Sequence, residues 1–444
     1  MLQSPLFLGL DLGTSGVRAF VIDSAEHVVT QAKIQYDQAL ISAKQIQPQS
    51  WWQAVLSVLN ELLTATPDNI ASSIVAICVD GTSSSVLISD RHGRPLNDAL
   101  MYFDQRAKLQ ASRIREVAPE HHPASSVTSG LAKWLWLEDN TRLENDVHYL
   151  HQADWIAGKL AGTFGFSDEN NALKSGYDAQ LKCWPEWVKS LLAQPEALPL
   201  VQPAGKAVCK IAKSIAQQFG FSKDTLIVSG TTDSTAAVVA TGASNVGDAV
   251  TSLGSTLVLK VVSDCAVSDA ATGIYSQPFG KHWLVGGASN SGGAVLRQFF
   301  TDQQMLEYQS QIDTQQPTQL DYYPLAATGE RFPVNDPQMA SRVTPRPDND
   351  VIFFQGLLEG IARIESQGYK KLSSKGAPWP SAIRTTGGGS KNLAWNRIRQ
   401  KILHIPFLET QQLEAAYGAA VLAKRGWEEH KKDINCSKHQ DKIS

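Results

Sequence analysis

The chain has 444 residues, 43% of them apolar and 19% charged, with a formal net charge of −3. That is too long for one ordinary hydrophobic core, so two domains are expected. The near-neutral charge removes any electrostatic case for nucleic acid or an anionic membrane as partner. The five cysteines are odd in number and form no CxxC pair, so they read as reduced thiols rather than a disulfide scaffold. The N-terminus lacks a basic n-region and Asp11 interrupts its apolar run. This reads against a signal peptide or a membrane span and for a cytoplasmic protein.

Residues 8–22, LGLDLGTSGVRAFVI, predict a β-hairpin turning through Gly13, Thr14, Ser15 and Gly16. The glycines let backbone N–H groups approach an anion, and the Thr14 and Ser15 hydroxyls add donors suited to phosphate. Asp11 stands where strand becomes turn. A carboxylate beside a phosphate cradle is repulsive unless a cation lies between them, so the stretch suggests Mg-nucleotide, with an ordinary Gly-rich hairpin as the competing reading. A third strand is expected around residues 34–40. A helix follows, capped by Ser50 and Gln53 and carrying Trp52, Leu56, Leu59 and Leu63 at helical spacing.

Residues 74–79 predict a buried strand ending in Asp80, Gly81, Thr82, Ser83, Ser84 and Ser85, again an acid followed by small hydroxyls. Asp104 and Arg106, two apart at a strand end or loop, can reach one ligand or form a surface ion pair. Residues 131–137 crowd apolar groups around Lys133, and Trp155, Ile156 and Leu160 continue an apolar face after Asp154. The polar residues 166–178 predict a loop at the mouth of a site, and the prolines of 195–203 predict a linker.

A second acid closes a strand at residues 225–234, where Asp233 is expected at a strand end or in the first turn of a helix. Residues 249–262, AVTSLGSTLVLKVV, repeat the opening hairpin in kind, with Gly254 matching Gly13 and Ser252 standing where the first copy has Asp11. Two similarly folded halves follow, one supplying an acid and phosphate donors, the other phosphate donors alone. Residues 286–293, GGASNSGG, lead into an expected helix at 295–300, and Gly356, Leu358 and Gly360 mark a close helix packing face. Residues 386–392 form a third glycine cluster before a helix at 393–403, an order suited to nucleotide at a helix N-terminus. A small-residue helix is expected at 414–420. The tail from residue 428 is charged, and its Cys436 and His439 read as solvated rather than metal-binding.

These blocks, taken in order, resemble the FGGY carbohydrate kinases of the actin-like ATPase fold. The resemblance runs from Gly9-Leu10-Asp11-Leu12-Gly13-Thr14-Ser15 through Asp104-Gln105-Arg106, Gly230-Thr231-Thr232-Asp233, Gly254-Ser255-Thr256, Gly329-Glu330-Arg331-Phe332-Pro333 and Gly387-Gly388-Gly389 to the helix at Glu414. Through DGTSS, SLGST and GGASNSGGA it looks most similar to the D-ribulose kinases of cyanobacteria and plants, formerly grouped with xylulose kinases.

The resemblance implies an α/β protein of two actin-like (ribonuclease H-like) domains with a cleft between them. Domain I, the sugar-binding domain, would span 1–240 and be completed by a C-terminal helix at 414–430. Domain II, the nucleotide-binding domain, would span 241–413, and 431–444 would be a polar tail. It implies transfer of the γ-phosphate of ATP to a ketopentose hydroxyl, most simply D-ribulose giving D-ribulose 5-phosphate. Asp233 would be the general base and Asp11 would organise Mg²⁺, both acids standing near the metal. Asp11, Thr14, Ser15, Ser83, Asp104, Arg106 and Asp233 would contact the sugar. Gly13, Thr14, Ser15, Gly254, Ser255 and Thr256 would meet the phosphates, and Gly388, Gly389, Asn392 and Trp395 the ribose and adenine. Many family members carry His or Arg near positions 83–84, where this chain has only hydroxyls.

Phosphoryl transfer asks a fold mainly to hold donor and acceptor in line and to spread charge. A P-loop, protein-kinase HRD and DFG motifs, and a GxGxxG after the first strand are all absent from the sequence. The competing readings are D-xylulose or another polyol as acceptor, or an actin-like nucleotide sensor hydrolysing ATP without a sugar. Asp104, Arg106 and Asp233, of direct use on a polyol, favour the kinase. The expected partners are the sugar and ATP, with no nucleic acid and no membrane, and the chain reads as a monomer.

Overall fold

A computed structural model describes residues 4–38, 41, 47–66, 70–143 and 145–440, with side chains to 436; Leu40 and the His439 side chain lie outside the described residues. The chain divides into two compact units, Met1–Ala240 with Glu414–Ser444, and Thr241–Leu413.

The first unit contains strands β1 (Leu6–Leu12), β2 (Gly16–Ile22), β3 (Val28–Gln35), β4 (Ile74–Gly81), β5 (Val86–Ser89), β6 (His148–His151), β7 (Phe166–Asp168), β8 (Leu200–Gln202), β9 (Ala207–Lys210) and β10 (Leu226–Thr232). Its main sheet has the order β3-β2-β1-β4-β10-β9. The opening hairpin forms as β1 and β2, antiparallel, while β4 pairs parallel with β1 and β10 parallel with β4. Alternation along β1 divides its side chains between two faces. Leu8, Leu10 and Leu12 join a core with Trp51, Val55, Leu59 and Trp155 from the helices Pro48–Thr64 and Gln152–Ala161. The other side of β1 presents Phe7, packed edge-on to Trp427, and Gly9, against the C-terminal helix Ala415–Gln440.

That helix sits unusually near the sheet. A Cβ at Gly9 would stand 2.0 Å from the Ala416 carbonyl oxygen and 2.3 Å from the Ala420 nitrogen, and one at Gly418 would stand 1.9 Å from the carbonyl oxygen of Ala236. Backbone therefore meets backbone on both sides of the C-terminal helix, with β1 at one glycine and the helix Asp233–Ala240 at the other.

The second unit contains β11 (Asp248–Leu253), β12 (Leu257–Ser263), β13 (Tyr275–Phe279), β14 (His282–Ser289) and β15 (Ala382–Thr386) in the order β13-β14-β12-β11-β15. β11 and β12 form an antiparallel hairpin, β14 adds antiparallel to β12, and β15 adds parallel to β11. The order β14-β12-β11-β15 thus matches β3-β2-β1-β4 in direction as well as sequence of pairing, as the internal repeat requires. The helix Asp350–Ser374 packs its Phe354, Leu357, Leu358 and Ile361 into this unit's core. Gly356 and Gly360 admit Tyr322 and its neighbours to within contact of that helix.

Several local expectations change. The third strand is Val28–Gln35 rather than 34–40, because the pairing with β2 follows directly from a tight turn at 23–27. The first helix begins at Pro48, with Gln47 as N-cap and no side-chain cap, so Ser50 lies inside the helix; proline's fixed φ starts the helix earlier than the capping pattern indicates. Residues 166–178 are not an exposed loop but β7 followed by the helix Glu169–Leu173, with Asp168, Asn170, Asn171 and Ser175 all buried. Residues 195–203 are no linker: they contain β8, which pairs with β7. The expected helix at 295–300 is only Gly293–Leu296, and the tail continues as helix to Gln440.

Substituting Gly418→Val is expected to destabilise the protein by at least about 3 kcal/mol, since neither helix backbone can yield to a branched side chain. The check is a thermal melt, with Gly388→Ala as control; there an added Cβ meets nothing within 4 Å and the melting temperature should not move.

Candidate active site

Three parallel strand ends organise the acids of the first unit. In register, Asp11 of β1 lies beside Asp80 of β4, and Asp80 lies beside Thr231 of β10. The β4/β10 register shifts between Val228 and Thr231, and Gly230 makes the close approach possible: a Cβ there would stand 2.0 Å from the Val79 carbonyl oxygen. β10 then passes directly into the helix that opens at Asp233. Acids far apart in sequence thereby collect at the carboxyl ends of neighbouring parallel strands, the side where α/β sheets generally bind ligands.

Asp11 accepts a hydrogen bond from Arg18 Nη1 at 2.9 Å, and Arg18 Nε reaches Glu414 at 3.1 Å. Asp233 Oδ1 accepts from the Ser234 N–H at 2.6 Å. Asp80, which sequence reasoning did not include among the site residues, is completely buried, and neither carboxyl oxygen receives a hydrogen bond. Burial first, then the negative charges of Asp11 and Asp233, push its pKa well above the usual carboxylate range, while Arg18 pulls it down. As a neutral acid, Asp80 is itself the donor, with Asp11 as its acceptor. The sequence signal was present in the strand-ending acid, but Asp80 falls in the same pattern as Asp11 and Asp233; what distinguishes it is complete burial without the guanidinium partner that the likewise buried Asp11 has in Arg18.

Hydroxyls surround this row. Ser84 takes φ of 65°, a left-handed conformation uncommon for a side chain of its kind. The Oγ atoms of Ser83 and Ser84, with Ser229 Oγ and Thr231 Oγ1, are buried without a hydrogen-bond partner. Buried polar atoms of this kind are normally satisfied, so such a set signals a polar ligand or bound water. Thr82 is held from behind by Gln152 Oε1, at 3.0 Å from its N–H and 2.8 Å from its hydroxyl. Thr14 and Ser15 are exposed at the hairpin turn, which Gly13 closes through its N–H to the Gly16 carbonyl at 3.0 Å; Thr14 Oγ1 comes within 3.5 Å of the Tyr102 hydroxyl. Asp104 and Arg106 close on one another, with Arg106 Nε 3.0 Å from both carboxylate oxygens and its guanidinium over the Trp136 ring. In the unliganded protein they are the local ion pair.

Behind these groups, Asp168 accepts from the backbone of Asn170 and Asn171 and from the Asn171 side chain. Burial, reinforced by the charge of Asp154, raises its pKa to about 6. Glu169 is raised to about 7, again by burial first and by Asp168 in addition, against the lowering effect of a hydrogen bond from Ala204. His151 braces the same segment, with Nδ1 2.7 Å from Asp154 and Nε2 2.8 Å from Ser175 Oγ.

Among the described residues, no group of three or more His, Cys, Asp or Glu could hold a metal ion by itself. That suits Mg²⁺, which binds through one or two carboxylates and otherwise keeps waters and substrate phosphate oxygens. The hard oxygens of Asp11 and Asp233 fit such an ion.

The second unit carries a pocket of about 690 Å³. Three glycine turns build it. The Gly293 N–H reaches the Gly254 carbonyl at 2.8 Å; Gly292, at φ of 146°, lies against Ser255 and Thr256; Gly387, at φ of 80°, lies against Leu253. Gly254, Ser255, Gly388, Gly389, Asn392 and Trp395 all line the pocket, whereas Thr256 does not. The hairpin explains the difference: Thr256 turns back to accept the Gly254 N–H at 3.2 Å and to lead into β12. Asn392 caps the helix Leu393–Leu403 through the Trp395 N–H, and the Trp395 indole N–H is used on the Leu358 carbonyl, so the ring serves as an apolar floor beneath Gly389. Arg297, Asp302, Met305, Gln309 and Phe354 also line the pocket, and sequence reasoning missed them, because no local pattern marks these particular positions on their helices or helix ends as facing a cavity.

Comparison with known proteins supplies the context. The model of the FGGY family of carbohydrate kinases, N-terminal domain, matches residues 6–240, and that of the C-terminal domain matches residues 249–427. A protein named xylulose kinase from Staphylococcus epidermidis is 22% identical over 94% of this chain and 87% of its own length. Another named xylulose kinase, from Streptomyces rubiginosus, is 28% identical over 57% of this chain and 53% of its own length. A gluconokinase of Bacillus subtilis is 22% identical over 80% of this chain and 67% of its own length. Among solved structures, a xylulose-type kinase from Brucella ovis superposes with a TM-score of 0.82 at 22% identity over 95% of this chain and 90% of its own. Plasmodium falciparum glycerol kinase with ADP superposes at 0.78 and 18% over 95% and 89%. At these identities the likeness is one of fold, the two-domain actin-like ATPase fold.

The buried acids make stability depend on pH. Because Glu169 has a folded pKa of about 7, above its ordinary value of 4.5, the folded state holds a proton that the unfolded chain releases. Stability therefore falls as pH rises through that window, and Asp168 acts with the same sign over a narrower one. Glu169→Gln is expected to raise the melting temperature at pH 8, by at most about 3 kcal/mol of stability, and to flatten its decline between pH 5 and 8. An unchanged slope in thermal melts across that range would contradict the assignment.

Proposed function

The chain belongs to the FGGY family of carbohydrate kinases, ATP-dependent phosphotransferases of sugars, and on that premise we propose that it transfers the γ-phosphate of Mg-ATP to the terminal hydroxyl of a ketopentose. The observation that carries the reading is the row of acids at the ends of β1, β4 and β10, set among buried hydroxyls without partners. A polyol brings donors and acceptors in the number such a set requires.

Asp233 is the general base, taking the proton from the acceptor hydroxyl as its oxygen attacks. Asp11 and Asp233 would hold Mg²⁺, which supplies charge neutralisation for the phosphoryl oxygens. Arg18 keeps the Asp11 carboxylate oriented, and Asp80, uncharged, adds a hydrogen bond to it without adding a third negative charge. Thr14, Ser15, Ser83, Asp104 and Arg106 are the candidate sugar contacts. Gly13, Thr14, Ser15, Gly254, Ser255 and Thr256 are the candidate phosphate contacts, with Thr256 acting through the turn it closes. In the second-unit pocket, Trp395 and Gly389 offer a flat apolar surface for a base, and Gly388 and Asn392 polar contacts for ribose.

D-ribulose is the acceptor that the DGTSS, SLGST and GGASNSGGA blocks favour. D-xylulose is the second reading, favoured by the names of the relatives. An aldonate such as gluconate would bring a carboxylate to a row of aspartates in which Arg18 is already paired with Asp11 and Glu414.

Measuring ADP release with D-ribulose, D-xylulose, ribitol, glycerol, gluconate and no acceptor tests the proposal; a ketopentose should be turned over fastest, and equal rates with and without acceptor would refute it. Asp233→Ala should lower sugar-dependent turnover by more than the 10² to 10⁴ of general-base help alone, because orientation of the hydroxyl is lost with it. Asp11→Ala should remove both sugar-dependent and background ATP hydrolysis, so full retention of either would contradict its assignment to the metal.

A further inference from the structure

Lys133 is a charged side chain where charge is costly. It lies on the helix Gly130–Asn140, is wholly inaccessible to solvent, and forms no salt bridge among the described residues. Its ammonium donates instead to two backbone carbonyls, those of Ser84 and Thr128, both at 2.9 Å. Burial lowers its pKa to about 7, opposed by the charge of Asp104 and assisted by that of Lys174. A buried amine bonded only to carbonyls loses more to desolvation than it recovers, and a core that needed only packing would be served by leucine or methionine.

What it holds is the strained point of the DGTSS turn. Ser84, at φ of 65°, is one of few residues other than glycine with positive φ, and the conformation costs of the order of 1 kcal/mol. At that point the Ser83 and Ser84 hydroxyls are buried without a hydrogen-bond partner. We propose that Lys133 is a positioning residue for the acceptor: by holding the Ser84 carbonyl it keeps the chain in the left-handed region and so sets where the Ser83 and Ser84 hydroxyls stand to receive a polyol. This rests on the reading of the site as a sugar kinase's acceptor site, and it adds a residue that touches neither sugar nor nucleotide.

The test is steady-state kinetics of Lys133→Met with the best acceptor found for the wild type. Misplacing two orienting hydroxyls should raise the acceptor KM about 10- to 100-fold. The KM for ATP and the rate of ATP hydrolysis without acceptor should stay within about twofold, a split that general loosening of the fold would not produce. Coupling gives the second arm: glycine adopts φ of 65° unaided, so in a Ser84→Gly background the same lysine substitution should change the acceptor KM far less than it does with Ser84 in place. If K133M does not fold, Lys133→Gln, which keeps an amide donor in the slot on a shorter side chain, takes its place, with a smaller rise in acceptor KM expected, above about twofold and again absent from the KM for ATP. An unchanged acceptor KM, equal rises for acceptor and ATP, effects that simply multiply in the double variant, or failure of every Lys133 variant to fold even with S84G would each overturn the proposal. A wild-type enzyme that phosphorylates no polyol would instead overturn the sugar-kinase reading itself, before any variant is compared.

Discussion

Everything in the first unit depends on how closely one helix can approach a sheet. The C-terminal helix Ala415–Gln440 meets β1 at Gly9 and the helix Asp233–Ala240 at Gly418, and in both places a single added carbon would fall within about two ångströms of a backbone atom. Asp11 lies two residues beyond Gly9 on the same strand, and Asp233 opens the helix that Gly418 touches. The strand bearing Asp11 and the helix opened by Asp233 are thus both braced by backbone contact with one helix, Ala415–Gln440. Backbone against backbone is stiffer than side chain against side chain, which has rotamers to absorb a misfit.

Charge at the strand ends follows from that rigidity. Three carboxyl groups drawn together at one edge of a sheet cannot all remain ionised and buried. The first unit eases the conflict by giving Asp11 a guanidinium, leaving Asp233 at the head of a helix, and pushing the pKa of the buried Asp80 well above the usual carboxylate range. The second unit has no such conflict. Its equivalent hairpin carries Ser252 in place of the acid, and its three glycine turns close on a pocket lined largely by apolar groups. A buried network of Glu365, Arg399, Thr251 and Tyr369 supports that pocket from below, with Arg399 bonded twice to Glu365 and also to Thr385 on β15. One topology thus recurs with different residues at its strand ends, acids in the first unit and a serine in the second.

Rigid support also explains the buried polar segment packed against β10. Residues 166–178 are polar enough to read as a loop, yet Asp168 caps its own helix through the Asn170 and Asn171 amides and His151 ties Ser175 to Asp154. Asp168, Asn171 and Ser175 are each given a partner there, and the segment stays buried at the expense of raised carboxyl pKa values. Lys133 belongs to the same pattern, a charged group used inside the protein to hold backbone in place.

The sequence by itself determined the local elements: the two glycine-turned hairpins, the placing of Asp11 on the first strand and Asp233 at the head of a helix, the order of motif blocks, and hence the two similar halves. These are legible because turn residues and alternation act over a few neighbours. It misjudged the start of the first helix, where proline outweighed the Ser50 pattern, and the segments at 166–178 and 195–203, where polarity indicated exposure. Only the tertiary structure decided that Asp80 is buried between Asp11 and Thr231, that Asp104 and Arg106 satisfy one another, and that Arg297 and Phe354 line the same pocket as Gly389. Burial and charge pairing are sums over groups distant in the chain, and no local pattern of residue types contains them.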